Sequence, residues 1–273
     1  MKIWEDCINK HYVNNETLED VYQYYLQHTN NNCQFNSFQA RLSNEKTKRG
    51  IHNIVGIIGD THFPFTLKGY LQFCKNTFTK YGVNQVVMIG DLVDNHAMSR
   101  WNTEVDAEGG ISEYTHAKEM VIEFLKLFPS GKLTIGNHDR IPQRQAATLG
   151  LHDGFIKSFN EAWDLPNEWE VAPEFIIDGV KYIHGEGASG KSGTINMAVA
   201  QGCSVFCGHN HTRGGVSYHS NGNFTIFGGD SGCGIDYSKY AFRYAKFSKD
   251  KPVIGCGVVI DGIEAQFIPM LID

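Results

Sequence analysis

The stretch IVGIIGDTH, residues 54–62, decides the fold class, because it joins an apolar run to Gly, Asp and His. Five successive Val, Ile and Gly residues predict a buried strand that ends at Gly59. The same arrangement recurs along the chain, where further apolar runs end beside Gly with Asp, Asn or His. Those later strand ends are GDLVDNH (90–96), GNHDR (136–140), HG (184–185) and GHNH (208–211).

Apolar runs and amphipathic stretches alternate through most of the chain. Strands are predicted at 54–58, 85–89, 132–135, 174–183 and 204–207, and helices at 70–80, 112–128 and 194–200. This order indicates a layered α/β domain. Near the C-terminus, Asn221-Gly222 lies between apolar runs at 216–218 and 224–227, which predicts a β-hairpin. Further strands are expected around 253–260 and 265–268.

Residues 1–50 differ from the rest, being polar and rich in Asn. Helical spacing of apolar residues predicts one helix, and residues 35–42 predict a second. The helical positions are Leu18, Val21, Tyr22, Tyr25 and Leu26, and the basic residues that follow are Arg41, Lys46, Lys48 and Arg49. A helix-turn-helix DNA reader and a helical cap both fit, and such loose patterns favour the cap. We predict an N-terminal helical extension at 1–50 and a second domain at 51–273.

Composition narrows the class of protein. The 273 residues are 41% hydrophobic and 20% charged, as in folded globular chains, and the net charge of −6 argues against a chain-wide basic surface. No signal-peptide-like core occurs near Met1 and no apolar run approaches ~20 residues, so no membrane segment is expected. The seven cysteines form no C-x-x-C pair, which favours a reducing cytoplasm. The sequence is compatible with a homo-oligomer.

The polar strand ends predict a metal site. Ligands of α/β sheets bind at the carboxyl ends of strands, and one Gly-Asp or lone His there would be an ordinary turn. Independent turns have no reason to gather imidazoles and carboxylates, so we expect a shared site at one edge of a sheet. Oxygen and nitrogen donors without thiolate suit Mn, Fe, Zn, Ni or Co. Two such ions with a bridging carboxylate could clamp a displacement at phosphorus.

The motif set D-x-H, G-D-x-x-D, G-N-H-D, H-G and G-H-x-H, in this order, resembles the calcineurin-like metallophosphoesterase family. The resemblance covers about residue 54 to the C-terminal strands. It implies a four-layer α/β/β/α sandwich and hydrolysis of phosphate esters with two divalent metal ions, of which Mn is the first candidate. GDTHFPF, GDLVDNH and VIGCGVV are similar to members encoded by bacteriophages, which would place the protein in the host cytoplasm.

The resemblance also implies roles for eight positions. Asp91 would bridge the two metals, and His138 would donate a proton to the leaving oxygen or stabilise its charge. The nucleophile would be a hydroxide between the metals, its pKa lowered by both cations. The first metal would be held by Asp60, His62 and His211, and the second by Asn137, His184 and His209.

Two departures bear on the substrate. Ser/Thr protein phosphatases of the family continue G-D-x-V-D with Arg-Gly, where this chain has Asn95-His96, and they carry G-N-H-E where it has Asp139. This favours a phosphodiesterase or nuclease acting on a nucleotide or nucleic acid. A phosphomonoesterase is the alternative, and a DNA-binding regulator with a secondary metal site is less favoured. Side chains that could contact substrate phosphate, or lie solvated on the surface, are His96, Arg100 and Arg140.

A competing motif lies at residues 185–192. GEGASGKS satisfies the P-loop pattern G-x-x-x-x-G-K-[ST]. It begins directly after His184, which the metal site needs, and at least three strands precede it, whereas a P-loop usually follows the first strand. We interpret the match as a coincidence, with Lys191 and the loop amides as further candidates for contacting substrate phosphate.

Overall fold

The computed structural model describes residues 2–13, 16–29, 33–50, 52–99, 109–239 and 249–272. The chain divides into two compact units, Met1–Asn53 and Ile54–Asp273. Among the described residues, no helix combines the length and the apolar character needed to cross a bilayer.

The N-terminal unit contains three α-helices, α1 (Lys2–Ile8), α2 (Leu18–His28) and α3 (Phe35–Lys48), with a π-helical turn at Asn9–Val13. The unit has its own core, built from Trp4, Cys7, Ile8, Val21, Tyr25, Phe38 and Leu42. Helix α1 was not predicted, because seven residues are too few to show a period. Residues 29–34 separate α2 from α3, which is longer than the three- or four-residue turn of a helix-turn-helix. The DNA-reader interpretation stays a prediction that this spacing does not favour.

The first sheet of the second unit has six strands in the order β11-β10-β1-β2-β3-β4. Strands β1 to β4 run parallel, and β10 pairs antiparallel with β1. The strands are β1 (Ile54–Ile58), β2 (Gln85–Met88), β3 (Gly131–Thr134), β4 (Trp169–Ala172), β10 (Gly255–Ile260) and β11 (Glu264–Pro269). The helices of this half are α4 (Tyr70–Tyr81), α5 (Gly110–Leu127), α6 (Ile141–Thr148) and α7 (Phe159–Trp163).

The second sheet has five strands in the order β5-β6-β7-β9-β8. Strands β6, β7 and β9 are parallel, and β5 and β8 are antiparallel at the two edges. The elements are β5 (Glu174–Ile177), β6 (Val180–Ile183), α8 (Gly193–Gln201), β7 (Ser204–Cys207), β8 (Gly214–Ser220) and β9 (Thr225–Ser231). Strand β8 and strand β9 form the predicted hairpin around Asn221-Gly222.

Successive side chains of a strand pack on opposite faces of its sheet, and both faces are buried. On β1, Ile57 belongs to the cluster between the sheets, with Phe206 of β7, whereas Ile58 packs into the cluster that contains Phe124 of α5. On β7, Cys207 points the other way and packs with Ala198 of α8. Strands buried on both faces read as continuous apolar runs. The predicted arrangement of two sheets flanked by helices is confirmed.

Two strand predictions were incomplete. Residues 174–183 form a hairpin and not one strand, because Asp178 and Gly179 both have positive φ (49° and 76°) and turn the chain. Such a two-residue turn matches the twist of the flanking strands. Strand β4, sequence WEVA, was missed, since four residues with one charge show no clear period.

Replacing Tyr182 by Phe is expected to stabilise the protein. The Tyr182 ring is fully buried and stacks 6.5 Å from Phe206, and its hydroxyl has no hydrogen-bond partner among the described residues. Removing an unpaired buried hydroxyl should raise the free energy of unfolding by about 1 kcal/mol, as measured by urea denaturation.

Tyr70 is the matched control for this substitution. Its buried hydroxyl accepts from Gly59 N (3.0 Å) and donates to Gly255 O (2.8 Å), tying the end of β1 to β10. Tyr70→Phe should cost about 1–3 kcal/mol, because it leaves a buried N–H unpaired. Equal losses in the two variants would contradict the expectation for Tyr182.

Candidate metal centre

The predicted ligands meet where the two sheets face each other. They follow β1, β2 and β3 of the first sheet and β6 and β7 of the second. The expectation that they lie at one edge of a single sheet is therefore wrong: β6 and β7 belong to a different sheet from β1–β3. In chain order these side chains are Asp60, His62, Asp91, Asn137, His184, His209 and His211.

One cluster of donor atoms is formed by Asp60, His62, Asp91 and His211, which lie within 4.8 Å of one another. His211 Nε2 is 3.0 Å from His62 Nε2 and 3.2 Å from Asp60 Oδ2. His62 Nε2 is 3.5 Å from Asp91 Oδ2. All of these residues except His211 are buried, so water does little to solvate the charges of the two carboxylates.

A second cluster shares Asp91 with the first and adds His184 and His209. His184 Nε2 lies 3.2 Å from Asp91 Oδ2, 3.2 Å from His209 Nδ1 and 3.0 Å from Asn137 Oδ1. Asp91 is thus the carboxylate common to both clusters, and its Oδ2 faces both histidine pairs. This is the position that a bridging ligand requires.

The hydrogen bonds behind the imidazoles leave lone pairs pointing into the clusters. His184 Nδ1 lies 3.0 Å from Ile89 O, and a carbonyl only accepts, so the proton is on Nδ1 and Nε2 is free to be a ligand. His62 Nδ1 is held in the same way by Asp94 Oδ1 at 2.5 Å. Asp60 Oδ1 is buried with no hydrogen-bond partner among the described residues. Acceptors gathered in this way fit divalent cations.

Protons compete for the same positions, which makes metal affinity depend on pH. Burial opposes the charged form of His184, but the Asp91 carboxylate outweighs it and raises the His184 pKa to about 10. A metal-ligating imidazole must be neutral at the ligating nitrogen, so that proton is displaced on binding. We expect Mn²⁺ affinity to rise about tenfold per pH unit for each proton released, measured by calorimetry between about pH 6 and 9. A flat profile would contradict this.

His138 stands beside the clusters and faces Asp94. Its Nδ1 donates to Asp94 O at 2.8 Å and lies 3.2 Å from the carboxylate oxygen Asp94 Oδ1, so Nε2 remains for another partner. Burial opposes protonation, but the hydrogen bond to Asp94 and the charges of Asp91 and Asp94 raise the His138 pKa to about 10. These interactions favour the protonated imidazole of His138, the form that can donate a proton.

Two buried aspartates, Asp94 and Asp139, lie within the motifs and had no role predicted from the sequence. Asp94 holds both His62 and His138, and it is the second Asp of G-D-x-x-D. Asp139, the last residue of G-N-H-D, accepts from Asp91 N (2.8 Å), Gly136 N (2.9 Å) and Val93 N (3.2 Å). It ties the loop after β2 to the loop after β3. The signal was present, since each lies in a motif with assigned ligands.

Backbone conformation at the site is costly. His62, Asp91 and His209 have φ of 49°, 50° and 66°, the left-handed region that non-glycine residues rarely adopt. Gly136 makes another close approach possible, since a Cβ there would lie 2.1 Å from Asp91 Oδ1. Strained residues persist where the surrounding structure imposes them, and they cluster at functional sites.

A sequence model of the family named calcineurin-like phosphoesterase matches residues 54–230. The chain belongs to this family. Membership supports a hydrolase that acts on phosphoesters, and the clustered Asp and His side chains of this chain indicate a dinuclear metal site.

Two solved structures are similar to this phosphoesterase in fold. Vacuolar Protein Sorting 29 from Cryptosporidium parvum shares 11% identity and a TM-score of 0.41, covering 77% of this chain and 85% of its own. A Vps29 mutant from Entamoeba histolytica shares 11% identity and a TM-score of 0.36, covering 80% and 99%. Likeness at this level carries no conclusion about function. Comparison with curated proteins finds no match.

The residues predicted to contact substrate lie at different places relative to the metal-ligand clusters of the phosphoesterase. His96 lies at the site, with Nδ1 3.8 Å from Asp94 Oδ2, in a short 3-10 turn. Arg140 lies at the start of α6 and contacts the loop that carries Asn137. Lys191 is exposed on the loop after β6. Arg100 lies outside the described residues. These contacts stay predictions.

Backbone amides in and beside the P-loop-like segment 185–192 already donate within the protein. A cradle presents backbone N–H groups to the anion. Here the amides of Ala188, Ser189 and Gly193 donate to the carbonyls of Gly185, Gly187 and Gly190, all in the same loop. Since those donors are used, the geometry agrees with a coincidental motif.

Proposed function

We propose that the protein is a phosphodiesterase that acts on a nucleotide or nucleic acid with two divalent metal ions, Mn²⁺ being the first candidate. The observation that carries the choice of diester is Asn95, which stands where protein phosphatases of the family carry Arg. Asn95 is buried and its Nδ2 donates to His138 O at 3.0 Å. Asn95 therefore supports the loop of His138. It carries no positive charge that could stabilise the second negative charge of a monoester.

The residues of the site have separate tasks in this reaction. Asp60, His62 and His211 would hold one ion, and Asn137, His184 and His209 the other, with Asp91 common to both. Bound there, the two cations would neutralise charge on the phosphate and lower the pKa of water. Asp94 keeps His138 oriented and protonated, so that Nε2 can donate to the leaving oxygen.

Metal removal tests this proposal. With Mn²⁺, the protein is expected to hydrolyse bis-p-nitrophenyl phosphate faster than p-nitrophenyl phosphate, and EDTA should abolish both activities. His209→Ala should lower the diester rate by about 10²-fold or more, because it removes a ligand of one ion. Full activity in EDTA would refute the metal mechanism, and a preference for the monoester would favour the phosphomonoesterase alternative.

A further inference from the structure

An ion pair joins the loops of the two sheets at the rim of the site. Arg140 follows the loop of Asn137, and its Nη2 donates to Glu186 Oε1 in the loop after β6. Arg140 Nε also lies 3.3 Å from Gly136 O. The side chains are 46% and 43% exposed, so both can meet a ligand that enters from solvent. Glu186 is two residues from His184, which places its charge beside the second cluster.

The loop that carries Glu186 is fixed from beneath. Arg213 donates to the carbonyls of Ala188 (2.8 Å) and Gly190, and Asn210 Nδ2 donates to Ala188 O (2.9 Å). Arg213 itself is only 14% exposed and pairs with Asp230 at 3.1 Å. A largely buried guanidinium with this many partners holds the loop in one conformation. The position of Glu186 relative to the site is therefore set by the fold.

We propose that the Arg140–Glu186 pair sorts phosphate esters by charge, in favour of monoanionic phosphodiesters and against dianionic monoesters. This inference rests on the proposed phosphodiesterase function. Arg140 uses Nε and Nη2 for its contacts within the protein, which leaves Nη1 for a phosphate oxygen. The pair as a whole is neutral, so it offers a hydrogen bond without attracting a second negative charge.

The carboxylate of Glu186 supplies the discrimination. A monoester carries close to two negative charges above its second pKa of about 6, whereas a diester carries one. Each additional negative charge on the ligand is repelled by Glu186, and partial exposure of the pair reduces this repulsion without removing it. A neutral residue at 186 should therefore improve binding of the dianion more than binding of the diester.

The test compares Glu186→Gln and Arg140→Gln in the Mn²⁺-loaded full chain. In Glu186→Gln, the ratio of diester to monoester kcat/KM should fall about five- to tenfold. In Arg140→Gln the ratio should rise, because Glu186 is then unpaired and repels the dianion more strongly. Calorimetry with inorganic phosphate at about pH 8, where it is mainly a dianion, gives a second readout. Glu186→Gln should bind phosphate more tightly than the unmodified protein, and Arg140→Gln more weakly.

The surface pair Lys132–Glu170 (2.8 Å) serves as control, since Glu170→Gln also removes one exposed carboxylate and should change neither readout. The inference is overturned if both site variants keep the original ratio and phosphate affinity. It is also overturned if Glu186→Gln lowers both activities equally together with the Tm, because the pair would then only tie two loops together. If the unmodified protein hydrolyses neither ester, the proposed function fails, and phosphate binding still decides the charge sorting.

Discussion

Asp91→Asn is expected to lose metal-dependent hydrolysis by at least about 10³-fold, the largest effect of any single substitution in the site. Asp91 Oδ2 lies 3.5 Å from His62 Nε2 and 3.2 Å from His184 Nε2, so it faces both histidines. An amide has nearly the same shape but no negative charge, and its NH₂ group would point a donor into the space of a cation. The measurements are diester kcat/KM and Mn²⁺ stoichiometry, which should fall below two.

Asp164→Asn is the matched control, because Asp164 is a 78% exposed carboxylate that pairs with Lys118 and belongs to none of the ligand motifs. It should retain both activity and metal content. An Asp91→Asn protein that binds two Mn²⁺ ions with unchanged affinity would contradict the bridging role. Circular dichroism separates loss of the site from loss of the fold.

Gly136→Ala should disable the site without removing any ligand. The new Cβ would lie 2.1 Å from Asp91 Oδ1 and 2.4 Å from Asp91 N, distances that force the loops after β2 and β3 apart. Because a ligand displaced by about 1 Å costs roughly 10²-fold in rate, we expect at least that loss of kcat/KM. Overpacking should also lower the free energy of unfolding by about 1–3 kcal/mol.

Gly110→Ala is the control for this substitution. At the start of α5, the one described atom within 4 Å of a Cβ on Gly110 is Ala97 Cβ at 3.7 Å, an ordinary contact. Activity should be unchanged, and stability equal or slightly higher because Ala is the better helix former. Normal metal binding by Gly136→Ala would show that Asp91 does not need this close approach.

The sequence predicted the elements that have long apolar periods and the residues that follow them. Strands β1, β2, β3 and β7 coincide with predicted apolar runs, and their ends were marked by Gly with Asp, Asn or His. Strand β4 and helix α1 escaped prediction because short segments do not display a period. Asp94 and Asp139 received no role, because residue type alone does not distinguish an Asp that orients neighbouring groups by hydrogen bonds from an Asp that binds a metal.

By itself, the sequence determined the α/β class, the order of the ligand motifs and therefore the family. Each motif is a short contiguous segment, so it can be recognised without knowing the tertiary structure. Only the tertiary structure decided that the ligands come from two sheets, that Asp91 faces both histidine clusters, and that Asp94 is shared by His62 and His138. It also decided that Arg140 pairs with Glu186, 46 residues away. Such pairings depend on which strand ends meet in space, and no spacing along the chain encodes that.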